Sequence, residues 1–131
     1  MIFTLGEYYS RKAIHEGIGG GQAQHFLSQK DGKIIAAFYD SVINPGGPQT
    51  IQVGKGDVMI AKSRLLAEQE EAIPVFRKAD VKGSNAGKYE YVGLYRCTGL
   101  LEDAETIAAE EARSNRPDTV AVVLKLQYVS A

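Results

Sequence analysis

The chain has 131 residues, of which 44% are hydrophobic and 24% are charged. These values are typical of one globular domain and exclude a disordered chain or a coiled-coil rod. The formal net charge is −1, which argues against a protein that binds nucleic acid over its whole surface. No apolar run is long enough for a membrane span, and the N-terminus lacks the features of a signal peptide. The single cysteine, Cys97, excludes an internal disulfide and predicts a reducing compartment, the cytoplasm.

The first half of the chain predicts two helices and three strands. Ser10 is a typical N-cap for a short helix over Arg11–Gly17, and the glycines that follow end this helix. Asp31-Gly32 predicts a two-residue hairpin between two strands. The predicted strands are His25–Gln29, Lys33–Tyr39 and Thr50–Val53, and a second helix capped by Asp57 continues to about Glu70.

The second half predicts three further strands and a third helix. Pro74 indicates an edge strand or the start of a strand. The continuous apolar run near the C-terminus is typical of a central strand that is covered on both faces. The predicted strands are Ala72–Lys78, Lys88–Thr98 and Thr119–Tyr128, and the helix is Asp103–Ser114 with Ile107, Ala108 and Ala112 on one face. This order predicts a single α+β domain over residues 1–131, with a curled mixed sheet or small β-barrel and flanking helices.

No complete catalytic or metal-binding pattern can be read from the residue types. His15 and His25 have only one cysteine to accompany them, so we expect neither a metal site nor a cofactor. The environment of Cys97 predicts a buried, unreactive thiol. The pair Glu110 and Glu111 is expected to be solvated on a helix surface. An enzyme is therefore the least supported class of function.

Two local features could bind a nucleotide. Gly19, Gly20 and Gly21 allow a close approach of ligand and backbone, which predicts a cradle for a phosphate or base; the alternative is a helix stop followed by a flexible loop. In Tyr39-Asp40, followed by Asn44, an aromatic ring lies beside a carboxylate and an amide that could read the edge of a base. The alternative is ordinary turn chemistry, and most other rings of the predicted strands could equally belong to the core.

Four segments together indicate a family. The first, Glu7-Tyr8-Tyr9-Ser10-Arg11-Lys12-Ala13-Ile14-His15, is followed by Gly19-Gly20-Gly21-Gln22. Ile73-Pro74-Val75-Phe76-Arg77-Lys78 then precedes Tyr91-Val92-Gly93-Leu94-Tyr95-Arg96. In this order the segments resemble the Arg-x-x-Ile/Leu-His helix, the GGQ segment and the IPvF…Y-x-G-x-Y strands of SRA-like domains. These domains belong to the PUA-like superfamily and occur in modification-dependent restriction endonucleases.

The resemblance implies a β-barrel with flanking helices that binds double-stranded DNA and flips a modified base, such as a modified cytosine, into an aromatic pocket. We expect a non-catalytic reader in a restriction-modification, defence or regulatory system, without a membrane partner. The residues contain no HNH-type metal cluster, so cleavage is not expected of them, and a nuclease that acts in trans is left open. Ala23, Gln24 and His25 interrupt the fuller GGQxxGG pattern, which leaves the modification open. A PUA-like RNA-binding module and a small-molecule or partner-binding domain are the alternatives.

The hypothesis assigns a role to each candidate residue. Tyr39 is expected to stack on the base while its neighbours read the edge. The modified-base pocket comprises Tyr39, Asp40, Asn44, Gln22 and Tyr8, with Gly19, Gly20 and Gly21 as the backbone cradle. The predicted phosphate contacts are Arg11, Lys12, Arg77, Lys78, Lys82 and Lys88. The alternative for these cations is ordinary solvated charge.

Overall fold

The computed structural model describes residues 3–21, 25–80 and 82–131, which form seven strands and three helices. In chain order they are β1 (Tyr8–Ser10), α1 (Arg11–Ile18), β2 (Leu27–Lys30), β3 (Lys33–Tyr39), β4 (Thr50–Gly54), α2 (Asp57–Glu68), β5 (Ile73–Lys78), β6 (Lys88–Leu101), α3 (Ala104–Ser114) and β7 (Val120–Ser130). All six predicted strands and all three predicted helices are present. The three-residue strand β1 was not predicted, because so short a segment carries no periodic pattern.

The strands form one mixed sheet in the order β2-β3-β5-β6-β7-β4, and β1 pairs with β6. Only the pair β3 and β5 is parallel; the remaining pairs are antiparallel. Bulges interrupt the pairing of β6 with both β5 and β7, and such bulges bend and twist a strand. The predicted α+β fold with a curled mixed sheet and flanking helices is confirmed.

Two groups of buried side chains form the core. The larger group lies between the sheet and α2, and Leu66 is its fully buried helical member. The smaller group is aromatic: Phe38 stacks on Phe76 with ring centroids 5.3 Å apart, and Tyr91 and the α1 residue Ile14 pack beside them. Several rings that could have stacked bases therefore belong to the core.

The local signals at α1 and at the first hairpin are confirmed. Ser10 Oγ accepts a hydrogen bond from the Ala13 amide at 3.1 Å, and Gly19 ends α1 in the left-handed conformation with φ of 85°. Asp31 and Gly32 both have positive φ, 52° and 77°, as a two-residue hairpin turn between β2 and β3 requires.

Two expectations were wrong in detail, and one was confirmed in one of its two forms. Gly56, not Asp57, is the N-cap of α2, so Asp57 is the first helical residue. Pro74 is the second residue of β5, so the alternative of a strand start is confirmed; β5 is an interior strand, and its parallel pairing with β3 begins at Val75. Glu110 is 4% exposed, whereas Ala108 and Ala112 are exposed. The side of α3 that carries Glu110 therefore faces the protein, where the Glu110 carbonyl accepts a hydrogen bond from Gln52 of β4.

Candidate functional site

A cavity of about 440 Å³ lies where residues from most elements of the fold meet. Its aromatic lining comes from Phe26, Phe38, Tyr39 and Tyr89. The remaining lining residues are Arg11, Asp40, Ile43, Asn44, Gln52, Gly54, Met59, Lys78, Arg116, Thr119 and Val120. The cavity therefore combines flat apolar surface with a small number of polar groups, as small-molecule and base-binding sites do.

The turn that follows β3 places Asp40 and Asn44 on the same cavity. Asp40 Oδ1 accepts a hydrogen bond from the Val42 amide at 2.8 Å, and the Asp40 carbonyl accepts one from the Asn44 amide at 2.8 Å. These bonds form an Asx-type turn, in which a side-chain oxygen replaces a backbone acceptor. Asp40 Oδ2 makes no hydrogen bond to any described residue, so a carboxylate oxygen is available to a ligand.

The orientation of the Asn44 side chain is determined by its neighbour in β4. Asn44 is 6% exposed, and its Oδ1 accepts a hydrogen bond from the Gln52 amide at 2.7 Å. A backbone N–H can only donate, so the amide oxygen must face Gln52 and the NH₂ group must face away from it. Nδ2 has no hydrogen-bond partner in the described ranges, so Asn44 contributes a donor to the cavity.

A buried polar chain connects this turn to α3. Gln52 Nε2 donates to the Glu110 carbonyl at 3.0 Å, and Ser114 Oγ lies 3.4 Å from Gln52 Oε1. The Glu110 carboxylate is buried beside Arg113 at 3.4 Å, and its Oε1 has no partner among the residues the structure describes. The expectation that Glu110 is solvated was wrong, because α3 packs on β7 and turns Glu110 toward Gln52 of β4.

Arg11 is part of the cavity lining rather than an extended surface cation. Its guanidinium carbon lies 3.5 Å from the centroid of the Phe38 ring and 5.5 Å from that of Tyr89. Its Nη2 donates to the His25 carbonyl, and its Nε donates to His15 Nε2 at 2.9 Å. Desolvation by burial lowers the pKa of Arg11, whereas the hydrogen bond with Tyr89 opposes this shift. The guanidinium is thus held by hydrogen bonds within the protein.

Tyr39 is held between the core and the turn. The residue is 6% exposed, and burial raises its pKa to about 12. A Cβ atom added at Gly47 would lie 2.6 Å from Tyr39 Cε2, so the backbone of the turn is in direct contact with the ring. Only a glycine permits this close approach.

Two cations of the lining are not engaged in ion pairs. Lys78 at the end of β5 and Arg116 in the α3–β7 connection line the cavity, and neither pairs with a carboxylate of the described residues. A second cavity of about 440 Å³ shares Asp40 and Lys78 with the first and is also lined by Lys82. The two cavities therefore adjoin across a lysine and an aspartate.

Some of the predicted base-pocket and cradle residues meet at the cavity and others do not. Tyr39, Asp40 and Asn44 line it together. Tyr8 lies on β1 opposite Glu90 of β6, away from the lining, and Gln22 lies outside the described residues. The predicted cradle, Gly19, Gly20 and Gly21, does not line the cavity: the Gly19 carbonyl accepts from Lys30 Nζ, and Gly21 contacts Ile35.

The predicted phosphate contacts also separate into groups. Lys78 and Lys82 line the two adjoining cavities, whereas Lys12 and Lys88 are exposed on the surface outside them. Arg77 is paired with Glu90 of β6, with Nε at 3.0 Å from Oε1, and this hydrogen bond raises the pKa of Arg77. A guanidinium in such an ion pair is less available to a phosphate.

Sequence reasoning missed several lining residues. Gln52, Met59, Arg116 and Thr119 come from β4, α2 and the α3–β7 connection. No motif marked them, since only the tertiary fold brings these distant segments to the turn after β3. Arg116 follows the left-handed residue Asn115 at the end of α3, and Asp118 after it also has a positive φ, so the chain changes direction sharply there.

The described residues contain no group of three or more histidine, cysteine, aspartate or glutamate side chains placed to hold a metal ion. None of the helices within these residues is long and apolar enough to cross a bilayer. Burial raises the pKa of the Cys97 thiol, which agrees with a thiol of low reactivity.

Searches against protein-family models and against curated proteins give no match. Among solved structures, the chain is similar to the SRA domain of SUVH5, which was crystallised in complex with hemimethylated CG DNA, with a TM-score of 0.57 and 13% sequence identity. The similarity covers 98% of this chain and 90% of that chain. The chain has the SRA fold. The three helices and the curled mixed sheet are those expected of an SRA-like domain. At 13% identity the similarity supports the fold and does not assign a role to any residue.

Proposed function

We propose that this protein is a non-catalytic DNA-binding domain that recognises a modified base, in the first place a modified cytosine, held outside the duplex in the 440 Å³ cavity. The observation that carries the proposal is the joint presence of Tyr39, the free carboxylate oxygen of Asp40 and the donor of Asn44 in one cavity. The SUVH5 SRA domain, which has the same fold, was crystallised with hemimethylated CG DNA, and this supports the choice of ligand.

The groups of Asp40 and Asn44 set a hydrogen-bonding requirement for the edge of a bound base. A base that meets Asp40 must present a donor, and the same base must present an acceptor to Asn44. Cytosine offers its N4 amino group beside the N3 acceptor, and adenine offers N6 beside N1. Thymine (N3–H beside O4) and guanine (N1–H beside O6) also present a donor next to an acceptor. The two side chains are therefore compatible with several bases, and the hemimethylated CG DNA in the SUVH5 structure supports cytosine as the first choice.

The charge around the cavity suits a nucleic-acid strand. Lys78 and Arg116 lie at the cavity without carboxylate partners in the described part of the chain. Lys82 lies in the lining of the adjoining cavity, together with Asp80. Flipping a base leaves its phosphates at the edge of the pocket that receives it. We therefore assign the phosphate contacts to these three residues. Lys12 and Lys88 lie outside both cavities and are proposed only as peripheral contacts.

The test compares two substitutions that change the net charge equally. Asp40→Asn keeps an oxygen for the Val42 amide but replaces the free acceptor with a donor. Asp31→Asn makes the same charge change in the β2–β3 turn, where φ of 52° is well tolerated by asparagine. Duplexes with cytosine, 5-methylcytosine or 5-hydroxymethylcytosine at one position are titrated at two salt concentrations.

The wild-type protein is expected to prefer a modified duplex, with an affinity that falls as salt rises. Asp40→Asn should weaken binding to the preferred duplex by about 10- to 100-fold, because the loss of one hydrogen-bonded contact to a base edge has an effect of this size. Asp31→Asn should not weaken binding. Equal binding of all duplexes by the wild type would refute the proposal. Preference for a single-stranded or structured RNA over every duplex would replace it with an RNA-binding function.

A further inference from the structure

His15 is the closest polar neighbour of Arg11 on α1. The two residues are one helical turn apart, and Arg11 Nε donates to His15 Nε2 at 2.9 Å. The other ring nitrogen, His15 Nδ1, lies 2.8 Å from the Gly20 carbonyl oxygen. Because a carbonyl only accepts, Nδ1 must carry the proton, and because Arg11 only donates, Nε2 must present its lone pair. Both contacts can be satisfied only by a neutral imidazole.

Among the described residues, no carboxylate lies within ion-pair distance of His15 to stabilise a second proton. Its ring centroid lies 5.9 Å from that of Phe38 on β3, which is apolar. The nearby charged or titratable groups are Arg11, Tyr89 of β6 beside it, and Lys30 of β2, whose ammonium donates to the Gly19 carbonyl. No carboxylate of the described residues pairs with His15. A proton on Nε2 would therefore point at a guanidinium and break their hydrogen bond.

We infer that His15 is a positioning residue: in its neutral form it helps to hold Arg11 against Phe38 in the cavity lining, and in its protonated form it loses the hydrogen bond from Arg11 Nε and no longer fixes that side of the guanidinium. This inference rests on the proposed function, because the cavity that Arg11 lines is the proposed base site. Histidine changes charge between pH 5 and 8, so binding of the modified base should weaken on acidification. Protonation adds positive charge, which by itself would strengthen DNA binding. The expected weakening on acidification is therefore opposite to the effect of charge alone.

The test uses His15→Gln, His15→Ala and His25→Gln. A glutamine at position 15 has an oxygen for Arg11 and an NH₂ group for the Gly20 carbonyl, but it does not titrate. His25 is the other histidine of the chain; it interacts with Lys62, and its substitution controls for any unrelated effect of histidine protonation. Dissociation constants for the modified duplex are measured from pH 8 to pH 5.5 at fixed ionic strength.

We expect the wild type and His15→Gln to bind alike at pH 8. At pH 5.5 the wild type should lose about tenfold in affinity, the effect of one hydrogen bond to a charged group, and His15→Gln should lose much less. His25→Gln should keep the wild-type loss on acidification, and His15→Ala should bind weakly at every pH. Parallel pH profiles for the wild type and His15→Gln would overturn the inference while leaving the proposed function intact.

A second readout does not depend on DNA. The Nε–H resonance of Arg11 in the free protein can be followed by ¹H–¹⁵N NMR across the same pH range. It should be protected from exchange at pH 8, lose this protection toward pH 5.5, and remain protected at pH 5.5 in His15→Gln. If the wild type fails to discriminate modified duplexes, the proposed function fails, and this resonance alone decides the inference. A wild-type resonance that does not change between pH 8 and pH 5.5 would overturn it.

Discussion

The contact between Gly47 and Tyr39 predicts a large effect of one methyl group. A Cβ atom at position 47 would lie 2.6 Å from Tyr39 Cε2, 2.7 Å from Cδ2 and 3.2 Å from the Asn44 carbonyl oxygen. Ordinary contacts begin at 3.4 Å, so in Gly47→Ala the ring must withdraw by about 0.8 Å. Tyr39 is 6% exposed and belongs to the larger core group, which leaves little room for this movement.

Overpacking of this kind costs about 1 to 3 kcal/mol. Alanine also reduces the entropy of the unfolded chain, which offsets about 0.4 to 1 kcal/mol. The expected net loss in the free energy of unfolding is therefore about 1 to 2 kcal/mol, or roughly 3 to 10 °C in Tm for a domain of this size. Because Tyr39 lines the cavity, discrimination of the modified duplex should fall as well.

The matched control is Gly99→Ala in β6. A Cβ atom at this position has no neighbour within 4 Å, and its φ is not in the left-handed region. Urea unfolding at neutral pH, analysed for both the midpoint and the slope, compares the two variants with the wild type. Gly99→Ala should change the free energy of unfolding by less than about 0.5 kcal/mol. A Gly47→Ala protein as stable as the wild type would refute the idea that the turn confines the Tyr39 ring.

Two further predictions concern pH. Burial raises the pKa of Tyr39 to about 12 in the folded protein. The neutral ring therefore stabilises the fold fully below about pH 10, and this stabilisation is lost as the pH rises toward 12. Between pH 9 and pH 11, the free energy of unfolding in urea should fall less for Tyr39→Phe than for the wild type, and an equal fall would contradict this assignment. Glu111 Oε2 accepts from the Val120 and Thr119 amides at 3.1 and 3.0 Å, and these bonds lower its pKa. The ionised carboxylate of Glu111 therefore stabilises the fold fully above about pH 4.3, and this stabilisation is lost as the pH falls below that value. Between pH 6 and pH 3, the free energy of unfolding should fall less for Glu111→Gln than for the wild type. Parallel curves of unfolding free energy against pH would exclude this role.

The elements that sequence reasoning predicted correctly are those that local interactions determine. The N-cap Ser10, the left-handed Gly19 and the hairpin turn at Asp31 each involve groups a few residues apart. Their chemistry is complete within the segment, so a pattern in the sequence is sufficient. The resemblance to SRA-like domains used the same kind of short segments, and it led to the fold that the structural comparison supports.

The candidate site was only partly predictable, because some of its contacts are local in the chain and others are not. Tyr39, Asp40 and Asn44 come from one strand and its turn, and their meeting at a cavity follows from that proximity. The cradle was assigned to Gly19–Gly21 from the glycines alone, but which surface these glycines face depends on residues far away in the chain. In the structure they lie against Lys30 and Ile35.

The sequence by itself determined the order of the three helices and six of the seven strands, both caps of α1, and the turn that carries the candidate base-reading residues. Only the tertiary structure decided that the Asn44 oxygen faces Gln52, so that its NH₂ group remains for a ligand, and that Arg11 lines the cavity over Phe38. Both outcomes depend on hydrogen bonds and contacts between segments that are separate in the chain. A side chain with two possible roles acquires one of them only when the fold has placed its partner beside it.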